Sequence, residues 1–363
     1  MLFSDPLITT LLPASPAPKL PPPRLPHYPR HVTNLQQAPI RWGILGPGNI
    51  ARTFVEDLLL LDDHTVAAVG SRDLARAQAF AAQYGIGRAY GSYADLAADD
   101  GLDVVYVATP HPGHYDAARL CLLAGRAVLV EKPFTVTAAH TADLIALARD
   151  RHLFAMEAMW TRFSPLVREV ADLVRDRAIG EVTAVQIDHG GAPEYDPDGR
   201  LWSAELAGGA LLDIGVYPIS FGAMLLGEPD EVHAVAALAP TGVDENTAVI
   251  ARYPDGAVGL YHCGLRAGSP QAATIIGTGG IITVGPPFYR PERYTLQRTG
   301  AEPETTTATL TGHGFVYEAQ EVARCLRARL TESPVLPLDQ TLAVMRTLDA
   351  ARAEFDAGGA ARA

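Results

Sequence analysis

Ile40-Arg41-Trp42-Gly43-Ile44-Leu45-Gly46-Pro47-Gly48-Asn49-Ile50-Ala51 joins an apolar run to a glycine turn and then to the start of a helix. The run Ile40 to Leu45 reads as a buried strand, and the turn has the form G-x-G-x-x-A in the strand-to-helix context that a dinucleotide fingerprint needs. Gly46 makes the tight turn, Gly48 lets backbone approach a pyrophosphate, and Ala51 allows close helix packing. Asn49 and Ile50 open the helix, whose free N–H groups and dipole favour phosphate. The alternative is a structural turn that holds no ligand.

Working outward, short apolar runs alternate with alanine-rich helical stretches of about a dozen residues, the signature of βαβ units and a parallel sheet. Strands are expected at 40–45, 66–70, 104–108, 127–130 and 153–156, with helices at 73–84, 114–124 and 138–151. After the second strand, about 20 residues past the glycines, an NAD enzyme places a carboxylate on the ribose. Ser71 and Arg72 stand there instead, with Arg76 one helical turn further on. Arginine can form charge-assisted bonds to a 2′-phosphate, which favours NADP over NAD. Asp73 reads as the cap of the next helix. The plainer reading of Arg72 is a solvated surface charge. Thr109-Pro110-His111-Pro112-Gly113-His114 follows the third strand; its two histidines have no local carboxylate partner, so they read as lining a cofactor pocket or capping a helix, and no metal is expected.

Lys132 stands out by composition. Of 29 basic residues only it and Lys19 are lysine. It ends Val128-Leu129-Val130-Glu131-Lys132, a strand end of the kind where ligands bind in open α/β sheets. Arginine cannot replace lysine where chemistry needs a compact donor whose pKa can be lowered. The alternative is a chance survivor paired to a nearby carboxylate.

Beyond Phe163 come a helix, a strand at 182–188, a helix at 209–226, alternating strands between about 231 and 296, and helices at 316–330 and 338–355. This pattern predicts a second, α+β domain with a large, mostly antiparallel sheet. In the helix from Gly209, Asp213 and Tyr217 share one face, one turn apart. A tyrosine titrates near pH 10 on its own, and an adjacent ammonium lowers that value by favouring the phenolate. Lys132 and Tyr217 together therefore make a candidate donor pair between two domains, although a tyrosine alone is more often a core residue.

The chain is 363 residues long, beyond the roughly 250–300 at which a single core stops growing, so two domains are expected. The divisions read as a proline-rich arm or tail at 1–38, a dinucleotide-binding domain at 39–160, a substrate and oligomerisation domain at 161–335, and a closing helix at 336–363. A formal charge of −12 disfavours nucleic acid and anionic membranes as partners and leaves small molecules. No apolar run of about 18 residues is evident, and no basic region precedes the N-terminal apolar stretch, so neither a membrane span nor a targeting signal is expected. Cys121, Cys263 and Cys325 form no C-x-x-C pair, which suits a reducing compartment and a cytoplasmic location.

The glycine turn at Gly46 to Ala51, Glu131-Lys132-Pro133, and Gly208-Gly209-Ala210-Leu211-Leu212-Asp213-Ile214-Gly215-Val216-Tyr217-Pro218 together resemble the glucose-fructose oxidoreductase, inositol dehydrogenase and rhizopine catabolism family, Gfo/Idh/MocA, from about Ile40 to the C-terminus. Met156-Glu157-Ala158-Met159-Trp160-Thr161-Arg162-Phe163 is most similar to its dimeric dihydrodiol dehydrogenases and NADP-dependent D-xylose 1-dehydrogenases. Many other members carry histidine in place of Tyr217. The resemblance implies an α/β chain: an N-terminal Rossmann domain, then an α+β domain with an open sheet used for self-association, with substrate bound between them. It further implies an oxidoreductase acting on CH–OH groups of a sugar or vicinal diol, with Tyr217 as general acid/base, Lys132 as substrate donor, Asp213 either touching the substrate or supporting the residues that do, Glu131 near the cofactor, and Trp160, Arg162 and Phe163 shaping the pocket. His189 departs from the aromatic residue usual there, so the pocket floor is expected to differ. The proline-rich arm is similar to that of glucose-fructose oxidoreductase, which lies across a neighbouring subunit, so a homodimer or a homotetramer is expected. Other readings are an NADPH-dependent reductase of an anhydro-sugar or dicarbonyl, an enzyme like glucose-fructose oxidoreductase, and a cofactor-binding regulator without activity.

Overall fold

The computed structural model describes residues 38–360. The proline-rich arm expected at the N-terminus falls outside them as far as Gln37. In the first half, β1 (Ile40–Leu45), α1 (Asn49–Leu58), β2 (His64–Gly70), α2 (Leu74–Tyr84), β3 (Arg88–Tyr90), α3 (Tyr93–Ala98), β4 (Val104–Val107), α4 (His114–Leu123), β5 (Ala127–Glu131), α5 (Ala138–Asp150) and β6 (Ala155–Ala158) follow in order. The strands form a sheet in the order β3-β2-β1-β4-β5-β6. Every pairing in it is parallel. Helices cover both faces, so β1, β4 and β5 are buried nearly throughout, which is why they read as unbroken apolar runs.

The order reverses between β1 and β4. In register, Leu45 lies beside Gly70 on one side and Val107 on the other, Val107 beside Val130, and Glu131 beside Ala158. The carboxyl ends of these strands therefore form one crest, and the chain leaves it at Gly46, Ser71, Ala108 and Lys132. A crevice at such a switch point is where ligands bind in doubly wound sheets. Phe54 of α1 locks the crest from below, meeting Trp42 edge-on at 5.3 Å and stacking on Tyr106 at 4.0 Å. Leu45, Val107, Leu122, Val130, Phe134 and Leu144 pack in the core on the opposite side; burying each contributes about 1.5–3 kcal/mol.

The second half holds α6 (Pro165–Arg175), β7 (Val182–Gly190), α7 (Val216–Leu226), β8 (Glu231–Leu238), β9 (Asp244–Arg252), β10 (Val258–Gly264), β11 (Ala273–Gly277), β12 (Gly280–Val284), β13 (Arg293–Arg298), β14 (Glu304–Thr307), α8 (Val316–Arg327) and α9 (Leu338–Ala360). Its sheet runs β14-β13-β12-β11-β7-β10-β9-β8. All pairs are antiparallel except β7 with β10. One face is buried: Val249, Ala251, Tyr261 and Cys263 alternate with exposed Ile250 and Leu260. The last helices return to the first half. Asp57 accepts from the backbone of Phe315 (2.8 Å) and Val316 (3.3 Å) at the start of α8, and Asp349 on α9 accepts from Ala138 N (2.8 Å).

The segment 204–226 is apolar and long enough to cross a membrane, contrary to the absence of such a run expected from sequence; 78% of its most apolar 18-residue window is buried inside the fold, as in the core helix of a globular protein.

Candidate active site

A cleft of about 750 Å³ opens along the crest. Gly46 has φ +94°, and a Cβ there would come within 2.9 Å of the Ala108 carbonyl oxygen, so only glycine fits the turn. A Cβ on Gly48 would meet nothing within 4 Å, leaving open space beside the backbone. Gly48 precedes α1 without a side-chain cap. The N–H groups of Asn49, Ile50 and Ala51 therefore meet no capping side chain, and the turn fits a dinucleotide pyrophosphate.

Ser71, Arg72, Arg76 and Tyr93 line the far end of the cleft. The Ser71 hydroxyl accepts from Asp73 N at 3.2 Å, and Asp73 caps α2 by accepting from Ala75 N (2.9 Å) and Arg76 N (3.4 Å). Asp73 is thus occupied as a cap. Arg72 and Arg76 are exposed and take part in no ion pair among the described residues.

Thr109, Pro110, His111, His114, Glu131, Lys132 and Asp213 line the near end. His114 is buried between the β4 and β5 loops, its ring nitrogens each 2.8 Å from a carbonyl oxygen, of Pro133 and Thr109; burial keeps the ring neutral, so its single N–H donates to one of the two. His111 Nδ1 lies 3.2 Å from the Ala207 carbonyl. Its Nε2 is 3.5 Å from Asp213 Oδ1. Burial, with His114 and Lys132 nearby, pulls the His111 pKa to about 3, so that contact joins a neutral ring to a carboxylate. Glu131 accepts from the Tyr106 hydroxyl and, at 3.1 Å, from the Lys132 backbone N–H.

Lys132 Nζ donates to the Asp213 backbone oxygen at 2.7 Å and to Asp213 Oδ1 at 3.3 Å. It also lies 4.9 Å from the centroid of the Tyr217 ring. The regular helix expected from Gly209 differs here. Residues Leu211–Gly215 form a wide π-turn, anchored by Asp244, which accepts from Leu211 N at 2.8 Å and fills the space over Gly209. One-residue widenings of this kind concentrate at functional sites. Asp213 and Tyr217 reach Lys132 across this turn.

Charges at the centre are strongly coupled. Burial alone would raise the Asp213 carboxyl, but Lys132 and Arg200 outweigh it and hold the group well below the ordinary carboxylate range. Burial alone would lower the Lys132 ammonium; Asp213, Tyr217 and Glu131 together reverse this and raise its pKa. The lysine pKa is therefore not lowered as the sequence had led us to expect. For Tyr217 burial is the larger effect and raises the pKa, while Lys132 opposes it. The ammonium favours the phenolate, as expected, but desolvation wins in the protein alone and the residue rests as a phenol.

An aromatic wall surrounds Tyr217. Trp160 Nε1 donates to the Tyr217 oxygen at 3.1 Å. His189 meets Tyr217 edge-on at 5.3 Å and stacks on Tyr289 at 4.6 Å. Arg162 and Phe163, expected beside Trp160 in the pocket, are core residues instead. Arg162 is 2% exposed, with Nε on Ser220 Oγ (3.0 Å) and Nη1 on Gln340 Oε1 (2.7 Å). Phe163 is fully buried. In the 3-10 turn Trp160–Phe163, Trp160 hydrogen-bonds Tyr217 while Arg162 turns to Ser220 and Gln340.

Arg200 and Tyr289 were not singled out from sequence. Arg200 Nη1 donates to Asp213 Oδ1 at 2.6 Å and lines the cleft. It lies in the irregular stretch between β7 and the π-turn, where no periodicity marks it. Tyr289 follows Pro286-Pro287 in a similarly irregular loop.

A crest of parallel strand ends with an uncapped glycine turn, leading to a lysine held against a carboxylate and a buried tyrosine, defines a dinucleotide-dependent oxidoreductase. The chain belongs to the Gfo/Idh/MocA family: residues 40–159 match the model for the oxidoreductase family with an NAD-binding Rossmann fold, and residues 167–283 the GFO/IDH/MocA C-terminal domain. It is 37% identical over 324 residues to trans-1,2-dihydrobenzene-1,2-diol dehydrogenase of Mus musculus, covering 86% of this chain and 96% of that protein. Identity to the enzyme of that name from Bos taurus is 38% over 309 residues, covering 82% and 92%. Among solved structures, aldose-aldose oxidoreductase from Caulobacter crescentus complexed with glycerol is similar with a TM-score of 0.80 at 25% identity, covering 88% of this chain and 98% of that one. A 3-ketoreductase from Actinomadura kijaniata, solved with NADP and TDP-benzene, gives 0.78 at 28% identity, with 87% and 98% covered.

Proposed function

We propose that this protein is an NADP-dependent dehydrogenase that oxidises a hydroxyl-bearing carbon of a sugar or vicinal diol, with Tyr217 as general acid/base and Lys132 as the donor that holds the reacting oxygen. One observation carries the reading: at the end of β5, beside the cleft, an ammonium pinned to Asp213 lies 4.9 Å from the Tyr217 ring. A nicotinamide dinucleotide seated on the glycine turn would supply the hydride acceptor or donor. The residues do the rest. Trp160 donates to the Tyr217 oxygen, so the phenolic O–H remains to face substrate. In oxidation Tyr217 acts as the phenolate that Lys132 favours and takes the hydroxyl proton to become the phenol; in reduction the phenol gives its proton to the substrate oxygen. Asp213 and Arg200 fix the ammonium, which costs no reorganisation as charge develops on the substrate oxygen.

Support for NADP over NAD comes from Arg72 and Arg76, unpaired at the mouth of the cleft where a 2′-phosphate would lie, and from Asp73, engaged as a cap. The relatives named above act, by their names, on a dihydrodiol and on aldoses. We divide the chain into a cofactor domain at 39–160, a substrate domain at 161–335 and a closing helix from 336. Exposed Val235, Ile250, Leu260 and Ile281 on the open sheet face support self-association there. The test is the initial rate of NADP reduction with D-xylose and with trans-1,2-dihydrobenzene-1,2-diol, beside the same assays with NAD. Turnover preferring NADP is expected; none with either substrate and either cofactor refutes the reading.

A further inference from the structure

His189 stands among the aromatic rings around Tyr217. It lies next to the last residue of β7, in the middle of the second sheet, with Phe288 edge-on at 5.8 Å and Tyr289 stacked against it. Its Nδ1 lies 3.2 Å from the Ile214 carbonyl oxygen. A carbonyl only accepts, so Nδ1 carries the proton and the neutral ring presents Nε2 as a bare acceptor. Burial, reinforced by Lys132, keeps the ring neutral by pulling its pKa to about 4. Nε2 meets no protein donor among the described residues, yet it is not sealed from solvent. An otherwise aromatic wall thus holds one unpaired acceptor next to the candidate acid/base.

We propose that His189 Nε2 is a specificity-determining acceptor for a further hydroxyl of the substrate, so that the site selects a polyhydroxylated ring of the aldose type over a ring that carries only a vicinal pair. This rests on the reading of Tyr217 as the acid/base. The physical reason is asymmetric: an O–H that reaches Nε2 replaces the water lost on binding, whereas a bare ring edge leaves the acceptor desolvated and unpaired. A neutral imidazole held in this tautomer cannot donate from Nε2, so it selects an O–H or N–H donor and does not attract a carboxylate.

The test measures kcat/KM for NADP reduction with D-xylose and with trans-1,2-dihydrobenzene-1,2-diol in the wild-type protein, His189→Phe and His189→Gln. In the wild type D-xylose should be preferred. In His189→Phe, kcat/KM for D-xylose should fall about 10- to 100-fold while that for the dihydrodiol stays within about threefold or rises. His189→Gln, which keeps an acceptor at the Nε2 position, should recover much of the loss. Thermal melts and NADP titration matching wild type establish that the variants are folded. A loss by one common factor on both substrates, or a wild type that uses the dihydrodiol alone, overturns the proposal. A wild type that oxidises neither refutes the Tyr217 reading itself, and that result is seen before any variant is made.

Discussion

Lys132→Met separates the chemical from the structural duty of the ammonium. The side chain is 14% exposed and gives two of its three N–H donors to Asp213. Removing it breaks one charge-assisted bond to the Asp213 carboxylate and one to its backbone carbonyl, but Arg200 still holds the carboxylate at 2.6 Å, so the buried charge is not left alone. A stability loss of about 1–3 kcal/mol is expected, less than the roughly 3–5 kcal/mol for a buried charge stripped of every partner. Catalysis should suffer more. Without the ammonium, Tyr217 loses the group that opposes burial and favours its phenolate, and the substrate oxygen loses its donor. Together these put the fall in kcat at about 10²- to 10⁴-fold, or about 3–5 kcal/mol of barrier. Lys132→Arg keeps the charge and should keep most of the stability, yet a planar guanidinium cannot place its donors in the same way, so kcat should still fall. The assays are urea unfolding, NADP titration, and initial rates with a substrate the wild type turns over. A kcat for Lys132→Met within tenfold of wild type refutes the reasoning.

Arg72→Ala should raise KM for NADP about 10- to 100-fold while leaving that for NAD within about threefold; equal effects in parallel assays would remove the 2′-phosphate contact. Gly46→Ala forces a Cβ to within 2.9 Å of the Ala108 carbonyl oxygen at φ +94°. It should cost about 1–3 kcal/mol and weaken NADP binding, read by thermal melts and fluorescence titration; an unchanged melting temperature argues against strain at the turn. Asp213 has its folded pKa depressed by Lys132 and Arg200. Its contribution is therefore fully present above the unfolded carboxyl pKa of about 3.9 and lost as pH falls further. The stability gap between wild type and Asp213→Asn, measured by urea unfolding, should be widest at neutral pH and shrink below about pH 4; a gap independent of pH would mean that the carboxylate is not ionically held.

What could be read from the sequence was what is local. The strand, glycine turn and helix from Ile40 to Ala51 lie in one continuous segment, and the buried strands β1, β4 and β5 advertise themselves by unbroken apolar runs. β3 has three residues, none buried, and α3 has six; neither is long enough to show a period. The π-turn at Leu211–Gly215 depends on Asp244, 33 residues along the chain, which no local pattern reveals. Arg200 was invisible among the many arginines in an irregular loop. The direction of the Tyr217 pKa shift was missed for a related reason: sequence names the charged neighbour, but only packing tells how much water is lost, and here that loss is the larger effect.

The retained lysine finds its reason in the count of donors. An ammonium carries three N–H bonds on a single atom. Asp213 takes two through its backbone and carboxylate oxygens, and among the described residues no further acceptor is hydrogen-bonded to Nζ. In the function proposed above, the third goes to a substrate oxygen beside Tyr217. A guanidinium spreads its five donors over a planar fork about two bonds wide, suited to a carboxylate but not to converging on one point between a backbone carbonyl and a tyrosine ring. Arg200 illustrates the contrast in the same site: one nitrogen lies 2.6 Å from Asp213 Oδ1 and the next 3.5 Å from Oδ2, a fork laid along the carboxylate. The two cations share Asp213 but do different work. Lys132 and Arg200 together keep the carboxylate ionised, the carboxylate keeps Lys132 charged, and the charge on Lys132 partly offsets the burial that makes the phenol next to it hold its proton. Replacing arginine by lysine elsewhere on the surface changes little, but exchanging these two residues would still pair Asp213 with two cations and yet leave the Tyr217 pocket without a point donor.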